Sequence, residues 1–233
     1  MVDNSPMTAD PFKFRESRIA LVGMSGSGKT FWTKKLAETG WRAISCDDLI
    51  EKRLGARLVA GNFSGIHGVA AWMGWPDDAG YGQREAEYLA EEIGALDEVL
   101  SELEKDAGGP LVLDTTGSVI YSPNNLLMRL RRTMTVVNLA ASQSEQQLLV
   151  DRYLLDPKPV LWRGAFQPTG GEAPRDAVAR CYPGLIAARA ASYETLAHRT
   201  VQISELREAA GSATPAAAFL KKIKMPPEGR EQQ

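Results

Sequence analysis

The chain has 233 residues, of which 44% are hydrophobic and 24% are charged, and its formal net charge is −2. These values are typical of one sizeable globular domain and argue against a general nucleic-acid binder. The 2 cysteines and 2 histidines lack the spacing of a disulfide framework or a structural metal site. No apolar run is long enough to cross a membrane, so we expect a cytoplasmic protein with no membrane partner. We also expect a monomer.

Strand and helix patterns alternate along the first half of the chain. Residues 1–16 are polar and contain prolines, which predicts a flexible leader. Hydrophobic periodicity then predicts, in chain order, a strand over 18–22, a helix over 31–38, a strand over 41–45, a helix over 49–54 that ends near Gly55, an irregular stretch over 61–82 that is rich in Gly and Trp, and a long helix over 83–105.

The second half of the chain continues this alternation. The same criteria predict a strand over 111–113, a helix over 122–132, a strand over 135–139, a helix over 144–153, a loop-rich stretch over 154–174, a helix over 177–197 and a strand over 200–203. Strands that alternate with helices form parallel sheets covered on both faces. We therefore predict a three-layer α/β fold.

Residues 23–30 read Gly-Met-Ser-Gly-Ser-Gly-Lys-Thr, the G-x-x-x-x-G-K-T pattern of a phosphate-binding loop. The pattern lies between a predicted strand and a predicted helix, where backbone N–H groups and the helix dipole bind phosphates. We expect Lys29 to reach the β- and γ-phosphates and the Thr30 hydroxyl to bind Mg²⁺. The loop thus predicts ATP and Mg²⁺ as cofactors, with nucleotide contacts from Gly23, Ser25, Gly26, Ser27 and Gly28.

Carboxylates follow two other predicted strands. Ligands of open α/β sheets bind beyond the carboxyl ends of the strands, where the phosphate loop, Asp47 and Asp114 all lie. Asp114 is either a Mg²⁺ ligand opposite Thr30 or a cap of the turn that follows its strand. Asp47 and Asp48 are in turn candidates for the N-cap of the next helix.

The segment that contains Asp47 resembles shikimate kinases, which carry D-x-D-x-x-I-E-x-x-x-G after their second strand. When Ile50-Glu51 is aligned with this motif, Asp47 falls on the second Asp of the family, which contacts the shikimate hydroxyl and is a candidate catalytic base. Ser45 stands where the family has its first, metal-associated Asp. Either Asp114 or Asp48 is a candidate to compensate for that change.

Two segments further along the chain extend the resemblance. Residues 115–119, Thr-Thr-Gly-Ser-Val, stand where the family has T-G-G-G-x-V, which implies that Gly117 contacts the acceptor. Residues 156–161 resemble the lid motif R-P-L-L, with Lys158 in place of Arg, so Lys158 would neutralise charge on the transferred phosphoryl group. Arg152 loosely matches the Arg that stacks on adenine in the family.

The resemblance also implies that an acceptor carboxylate is bound by arginines. Residues 189–197 match R-x-x-x-Y-x-x-x-A, whose Arg binds this carboxylate, although an exposed Arg on a helix would show the same pattern. The second carboxylate-binding Arg lies in F-R-x-x-E, where one alignment puts Gly82 at the key position. A shifted alignment puts Arg84 there, followed by Glu87. We favour Arg84 alongside Arg189, because this frame keeps the charge pattern.

The resemblance spans roughly residues 19–201 and implies a three-layer P-loop NTPase fold that is similar to the nucleoside-monophosphate kinases and has a lid. It implies a kinase domain over 17–206, with the lid at about 154–176, followed by a C-terminal helix and flexible tail over 207–233. The implied activity is transfer of the ATP γ-phosphoryl group to a hydroxyl of a small acidic alcohol such as shikimate. The alternatives are a related kinase for a sugar acid or a nucleoside, and a nucleotide-binding regulatory module without phosphotransfer.

Overall fold

The computed structural model of the chain describes residues 17–105 and 108–224. The predicted leader and the end of the predicted tail lie outside these residues. The strands are β1 (Arg18–Val22), β2 (Arg42–Ser45), β3 (Leu111–Asp114), β4 (Thr135–Ala140) and β5 (Arg199–Gln202). The α-helices are α1 (Lys29–Ala37), α2 (Cys46–Ala60), α3 (Gly65–Met73), α4 (Tyr81–Lys105), α5 (Asn124–Thr133), α6 (Gln143–Leu155), α7 (Pro174–Leu196), α8 (Ile203–Ala210) and α9 (Pro215–Lys224).

The five strands form one parallel sheet in the order β2-β3-β1-β4-β5. Successive side chains of the central strand β1 point to opposite faces of the sheet. Ala20 and Val22 pack into the apolar cluster on one face, while Ile19 and Leu21 pack into the cluster on the other. The predicted three-layer α/β fold is therefore confirmed. All strands end at one edge, which brings together the loops that follow them.

Two helical predictions on the way from β2 to α4 were wrong. Helix α2 was expected to end near Gly55, but it continues to Ala60 because a helical Gly costs only about 1 kcal/mol relative to Ala, and burial of Leu58 in the next turn stabilises the continued helix. The stretch over 61–82 was expected to be irregular, but it contains α3. Val69 and Met73 of α3 are buried against the core, so tertiary packing outweighs the glycine-rich composition.

The last two helices, α8 and α9, cover the face of the sheet that carries Ile19 and Leu21. Phe219 of α9 is fully buried and stacks on Trp32 of α1, with 4.7 Å between the ring centroids. This stacked pair attaches residues beyond 206 to the helix that follows the phosphate loop. Within the described part of the chain, no helix is long and apolar enough to span a bilayer.

Candidate active site

The phosphate loop connects β1 to α1, and its shape depends on glycine. Gly23 has a φ of 141°, and a Cβ at this position would lie 2.8 Å from the backbone oxygen of Leu139 on β4. Gly26 and Gly28 also have positive φ, at 81° and 97°. A side chain at Gly23 would both strain the backbone and clash with β4, so the loop can approach the sheet this closely only with glycine there.

Lys29, the first residue of α1, lies against the phosphate loop. Its amine donates hydrogen bonds to the backbone oxygens of Gly23, at 2.9 Å, and Met24, at 3.1 Å. Burial lowers the pKa of Lys29, whereas the neighbouring carboxylates of Asp114 and Asp47 act in the opposite direction. The structure therefore holds a nearly buried cation beside the loop, where a triphosphate would supply the missing negative charge.

Asp114 and Thr30 meet at the end of β3. Asp114 is 4% exposed, and burial raises the pKa of its carboxyl, while Lys29 and a hydrogen bond from the Thr30 side chain oppose that shift. Its Oδ1 atom is buried without a hydrogen-bond partner. A hydrated Mg²⁺, which takes one or two carboxylates together with substrate phosphates, would satisfy that oxygen. The residues present thus fit the predicted metal site.

The sheet register explains how Asp114 relates to Ser45, which replaces an acidic residue of the shikimate kinase motif. Ser45 and Asp114 are direct neighbours across the β2–β3 pair. The Ser45 hydroxyl accepts a hydrogen bond from the backbone N–H of Asp48 at 3.1 Å and so caps helix α2. The Asp114 carboxylate therefore lies beside Ser45 at the same edge of the sheet, but on the adjacent strand β3.

We expect Asp114→Asn to raise the Mg²⁺ concentration needed for half-maximal ATP binding by at least about tenfold, because an amide is a weaker magnesium ligand than a carboxylate. The measurement is a titration of ATP binding at a series of free Mg²⁺ concentrations. Asp151→Asn, at an exposed position of α6, is the matched control. An unchanged Mg²⁺ response in Asp114→Asn would instead support the turn-capping role.

Asp47 lies in the first turn of α2 and is half-buried beside the phosphate loop. Desolvation raises the pKa of Asp47 to about 6; Lys29 lowers it, and the carboxylates of Asp114 and Asp48 raise it. The Tyr88 hydroxyl donates a long hydrogen bond to Asp47 Oδ1, at 3.4 Å. A carboxylate with a pKa near the physiological range is suited to general-base catalysis.

A cavity of about 440 Å³ joins these groups. The phosphate loop with Lys29 and Thr30 lines this cavity together with Asp47 and Asp114. Further lining residues outside the phosphate loop are Asp48, Ile66, Tyr88, Thr116, Gly117, Lys158 and Pro159. These residues and Asp47 are called the acceptor side of the cavity. The volume is of the order found for small-molecule pockets.

A second pocket, of about 270 Å³, lies between the phosphate loop, α6 and α8. It is lined by Gly26, Ser27 and Gly28 of the loop and by Leu148 and Arg152 of α6. An Arg152 Nη1 hydrogen bond to the backbone oxygen of Gly26, at 3.3 Å, ties α6 to the loop. This pocket therefore adjoins the phosphate site at the position where the predicted adenine contact of Arg152 would occur.

Lys158 enters the main cavity from the segment between α6 and α7. Its amine lies 3.0 Å from Asp156 Oδ2 and 3.1 Å from His67 Nε2, and the other imidazole nitrogen of His67 lies 3.3 Å from Asp156 Oδ1. These contacts attach the predicted lid segment to α3. The same segment is also anchored at Trp162, which is 2% exposed among the aromatic rings of α6 and α7.

Arg189 of α7 lies behind the cavity wall rather than within the cavity. It is 2% exposed, and its Nη1 donates to the backbone oxygen of Gly117 at 3.1 Å. Its Nη2 donates to the backbone oxygen of Leu161, and its Nε donates to the Tyr121 hydroxyl at 3.3 Å. Arg189 therefore connects the lid segment to the loop after β3, and Gly117 lies between it and the cavity.

Arg84 does not join the group of predicted acceptor ligands. Its Nε donates to the backbone oxygen of Met73 at 2.8 Å, and its Nη1 donates to that of Ala79 at 3.1 Å. It thereby caps the C-terminal end of α3, as basic side chains commonly do. The residue of α4 that reaches the cavity is Tyr88, about one helical turn further along, so the alignment that selected Arg84 does not match the geometry of the helix.

Glu92 is a functional candidate that the sequence analysis did not identify. It is 2% exposed and accepts hydrogen bonds from Ser118 Oγ, at 2.8 Å, and from Thr116 Oγ1. Burial raises the pKa of Glu92 to about 8, opposed by the Ser118 hydrogen bond and reinforced by the Asp47 charge. The sequence signal that could have identified Glu92 is its position on α4, because it is a carboxylate one turn after Tyr88 on the apolar face of that helix.

We expect Glu92→Gln to weaken the pH dependence of stability. The native carboxyl keeps its proton to about pH 8, whereas an unfolded Glu releases it near its ordinary value of 4.5. Between these values the native state binds more protons, so the free energy of unfolding of the wild type falls as pH rises. The Gln variant lacks this contribution and should lose less stability between about pH 5 and 8.

Thermal unfolding at a series of pH values measures this effect. Glu102→Gln, at an exposed position of the same helix, is the control and should behave as the wild type does. Equal pH slopes in wild type and Glu92→Gln would contradict the raised pKa of Glu92.

No family model and no curated protein matches this chain. Among solved structures, the shikimate kinase from Acinetobacter baumannii in complex with shikimate is 22% identical, with a TM-score of 0.57 over 92% of this chain and 95% of that one. A shikimate kinase from Bacteroides thetaiotaomicron is 19% identical, with a TM-score of 0.54 over 89% and 96% of the two chains.

The sheet, the phosphate loop and these likenesses define a P-loop α/β fold. Within that class, the fold is that of shikimate kinases, which confirms at the level of the fold the resemblance inferred from the sequence. At identities below 25%, these likenesses show the fold alone.

Proposed function

We propose that the protein is a kinase that transfers the γ-phosphoryl group of ATP to a hydroxyl of a small molecule. The observation that carries this proposal is the single cavity shared by the phosphate loop, Asp47 and Asp114. Phosphoryl transfer requires a phosphate cradle, a metal site and a group that receives the acceptor proton. The lining of the cavity offers a candidate for each of these parts.

Each side chain has a role in the proposed reaction. The amine of Lys29 would neutralise charge on the β- and γ-phosphates, exchanging its bonds to loop carbonyls for phosphate oxygens. Thr30 and Asp114 would hold Mg²⁺, which supplies charge neutralisation on the phosphate oxygens. Arg152 would contact the nucleoside from the adjoining pocket, and Lys158 would approach the transferred group from the lid.

Asp47 would act on the acceptor. As the acceptor oxygen forms a bond to the γ-phosphorus, the Asp47 carboxylate takes the hydroxyl proton. The bond between that phosphorus and the β–γ bridging oxygen breaks, and ADP leaves with the electron pair. The lid segment would exclude water, which would otherwise compete as the acceptor.

Two acceptor classes are candidates. The resemblance favours a hydroxy acid, and the similar structure from Acinetobacter baumannii is in complex with shikimate. The contacts of the two predicted carboxylate ligands favour an uncharged alcohol, because Arg189 and Arg84 are both engaged by backbone oxygens. A location in the cytoplasm, a monomeric state and the absence of nucleic-acid partners remain predictions.

The experiment is acceptor-dependent ADP release. Purified protein receives ATP and Mg²⁺ with each of a set of hydroxy acids, sugars, polyols and nucleosides, and Lys29→Ala serves as the inactive control. Acceleration by at least one acceptor in the wild type, and by none in the variant, supports the kinase. If ATP binds tightly but no acceptor accelerates ADP release, the regulatory nucleotide-binding module is the better assignment.

A further inference from the structure

The acceptor side of the main cavity carries acidic and hydroxyl oxygens. Asp47 and Asp48 contribute carboxylates, and Tyr88 and Thr116 contribute hydroxyl groups. Asp48 is exposed to the cavity and lies next to Asp47 on the first turn of α2. A carboxylate brought into this part of the cavity would meet two like charges, whereas an alcohol can donate hydrogen bonds to both of them.

The cations nearest to this side already have partners. Among the described residues that line the cavity, the cationic side chains are Lys29, which belongs to the phosphate loop, and Lys158, which is paired with Asp156. Arg189 donates to the backbone oxygens of Gly117 and Leu161. To reach an acceptor, Arg189 would have to break contacts that join the lid to the cavity wall.

Glu92 supports the hydroxyl group on the cavity wall. Its two carboxyl oxygens receive the hydroxyls of Thr116 and Ser118, so the Thr116 side chain has a fixed orientation at the cavity surface. Glu92 and Ser118 thus hold the uncharged hydroxyl group of Thr116 in place. The Thr116 oxygen also accepts a hydrogen bond from the backbone N–H of Ser118 at 3.2 Å. Because its proton is donated to Glu92, this oxygen can only accept a hydrogen bond from an acceptor hydroxyl, through its remaining lone pair.

We propose that the acceptor is an uncharged, hydroxyl-rich molecule of the sugar, polyol or nucleoside class, whose non-reacting hydroxyls are bound by Asp48, Tyr88 and Thr116. This proposal rests on the kinase function proposed above and specifies its acceptor. Asp47 receives the proton of the reacting hydroxyl, and the neighbouring oxygens orient the rest of the molecule. Specificity against acids comes from the carboxylates of Asp47 and Asp48, which repel a negatively charged acceptor.

The test compares acceptors of similar size and hydroxyl pattern, one with a carboxylate and the other with an uncharged group in its place. The matched pairs are methyl shikimate and shikimate, D-glucitol and D-gluconate, and D-glucose and D-glucuronate, with uridine as a neutral nucleoside. We expect the uncharged member of an accepted pair to have a kcat/KM at least about tenfold higher, since a like-charge contact penalises its acidic partner. Higher kcat/KM for the acids would overturn this inference and leave the kinase assignment standing. Absence of turnover with every compound would overturn both.

Asp48→Asn tests the origin of the selectivity. Because Asp48 is exposed, its substitution should leave the fold intact, which thermal unfolding checks. We expect the ratio of neutral to acidic kcat/KM to fall at least about threefold, because one repelling charge is lost. A merely structural role of Asp48 would not change this ratio, and an unchanged ratio would contradict its part in the proposal.

Thr116→Val tests the bound hydroxyl. We expect the KM for the neutral acceptor to rise about tenfold while the KM for ATP stays the same, because the acceptor loses a hydrogen-bond partner. Thr116→Ser, which keeps the hydroxyl, should restore the wild-type KM even if the Val variant is less stable. Equal acceptor KM values in the wild type and a folded Val variant would show that Thr116 does not contact the acceptor.

Discussion

Asp47→Asn is expected to lower kcat for phosphoryl transfer by about 10²- to 10⁴-fold, the range that general-base catalysis contributes. An amide keeps the size of the side chain and its hydrogen bond with Tyr88, but it cannot take up the acceptor proton. ATP binding should be unaffected, because Asp47 belongs to the acceptor side of the cavity. The measurement is steady-state ADP release together with a separate ATP-binding titration.

The pH profile distinguishes this role from simple positioning. The pKa of Asp47 is raised to about 6, chiefly by desolvation. The base is active when ionised, so kcat/KM for the acceptor should rise with pH and level off above about pH 6. This acid limb should be absent from the residual activity of Asp47→Asn and present in Asp48→Asn. A limb that persists in Asp47→Asn would assign the titration to another group.

The fold was predictable because its signals are local. The strands β1, β3 and β4 are buried on both faces, so each appears in the sequence as a short apolar run. The phosphate loop is equally local, since its glycines, Lys29 and Thr30 are adjacent in the chain. Asp47 and Asp114 could be located because both lie at the carboxyl ends of strands of a parallel sheet, and these ends meet at one edge.

The acceptor side was less predictable because it depends on long-range geometry. A motif alignment compares positions within one segment, but it does not fix how helix α4 is rotated relative to the cavity. That rotation directs Tyr88 to the cavity and leaves Arg84 at the end of α3. The position of Glu92 on the apolar face of α4 was visible in the sequence, but its partners were not, since Thr116 and Ser118 lie after the end of the next strand along the chain.

Arg189 shows a further limit on what the sequence predicts about the site. The sequence placed an arginine on a helix in the C-terminal half of the domain, and the structure has it in α7 beside the loop after β3. Its hydrogen-bond partners are backbone oxygens of Gly117 and Leu161, and the path of the lid segment determines whether they are available. Composition and spacing contain no information on that path, so the identity of the ligand of this arginine could not be inferred.

Lys29→Met is expected to lower kcat/KM for ATP by at least about 10²- to 10³-fold, the effect of removing one group that stabilises charge in a transition state. The same variant should be at least as stable as the wild type. Burial lowers the pKa of Lys29, so the folded protein holds the charged amine at a cost in free energy. Replacing a buried charge by an apolar side chain of similar volume is commonly neutral or stabilising.

Activity and thermal unfolding measured on the same preparation test both parts of this expectation. Lys35→Met on α1 is the matched control, because Lys35 is more exposed and its partner is Glu38 rather than the phosphate loop. It should retain wild-type kinetics, since surface ion pairs contribute little. A fall in melting temperature that accompanies the loss of activity in Lys29→Met would mean that the amine holds the loop together through Gly23 and Met24. If activity is lost while the melting temperature is preserved, Lys29 serves nucleotide binding and does not stabilise the nucleotide-free protein.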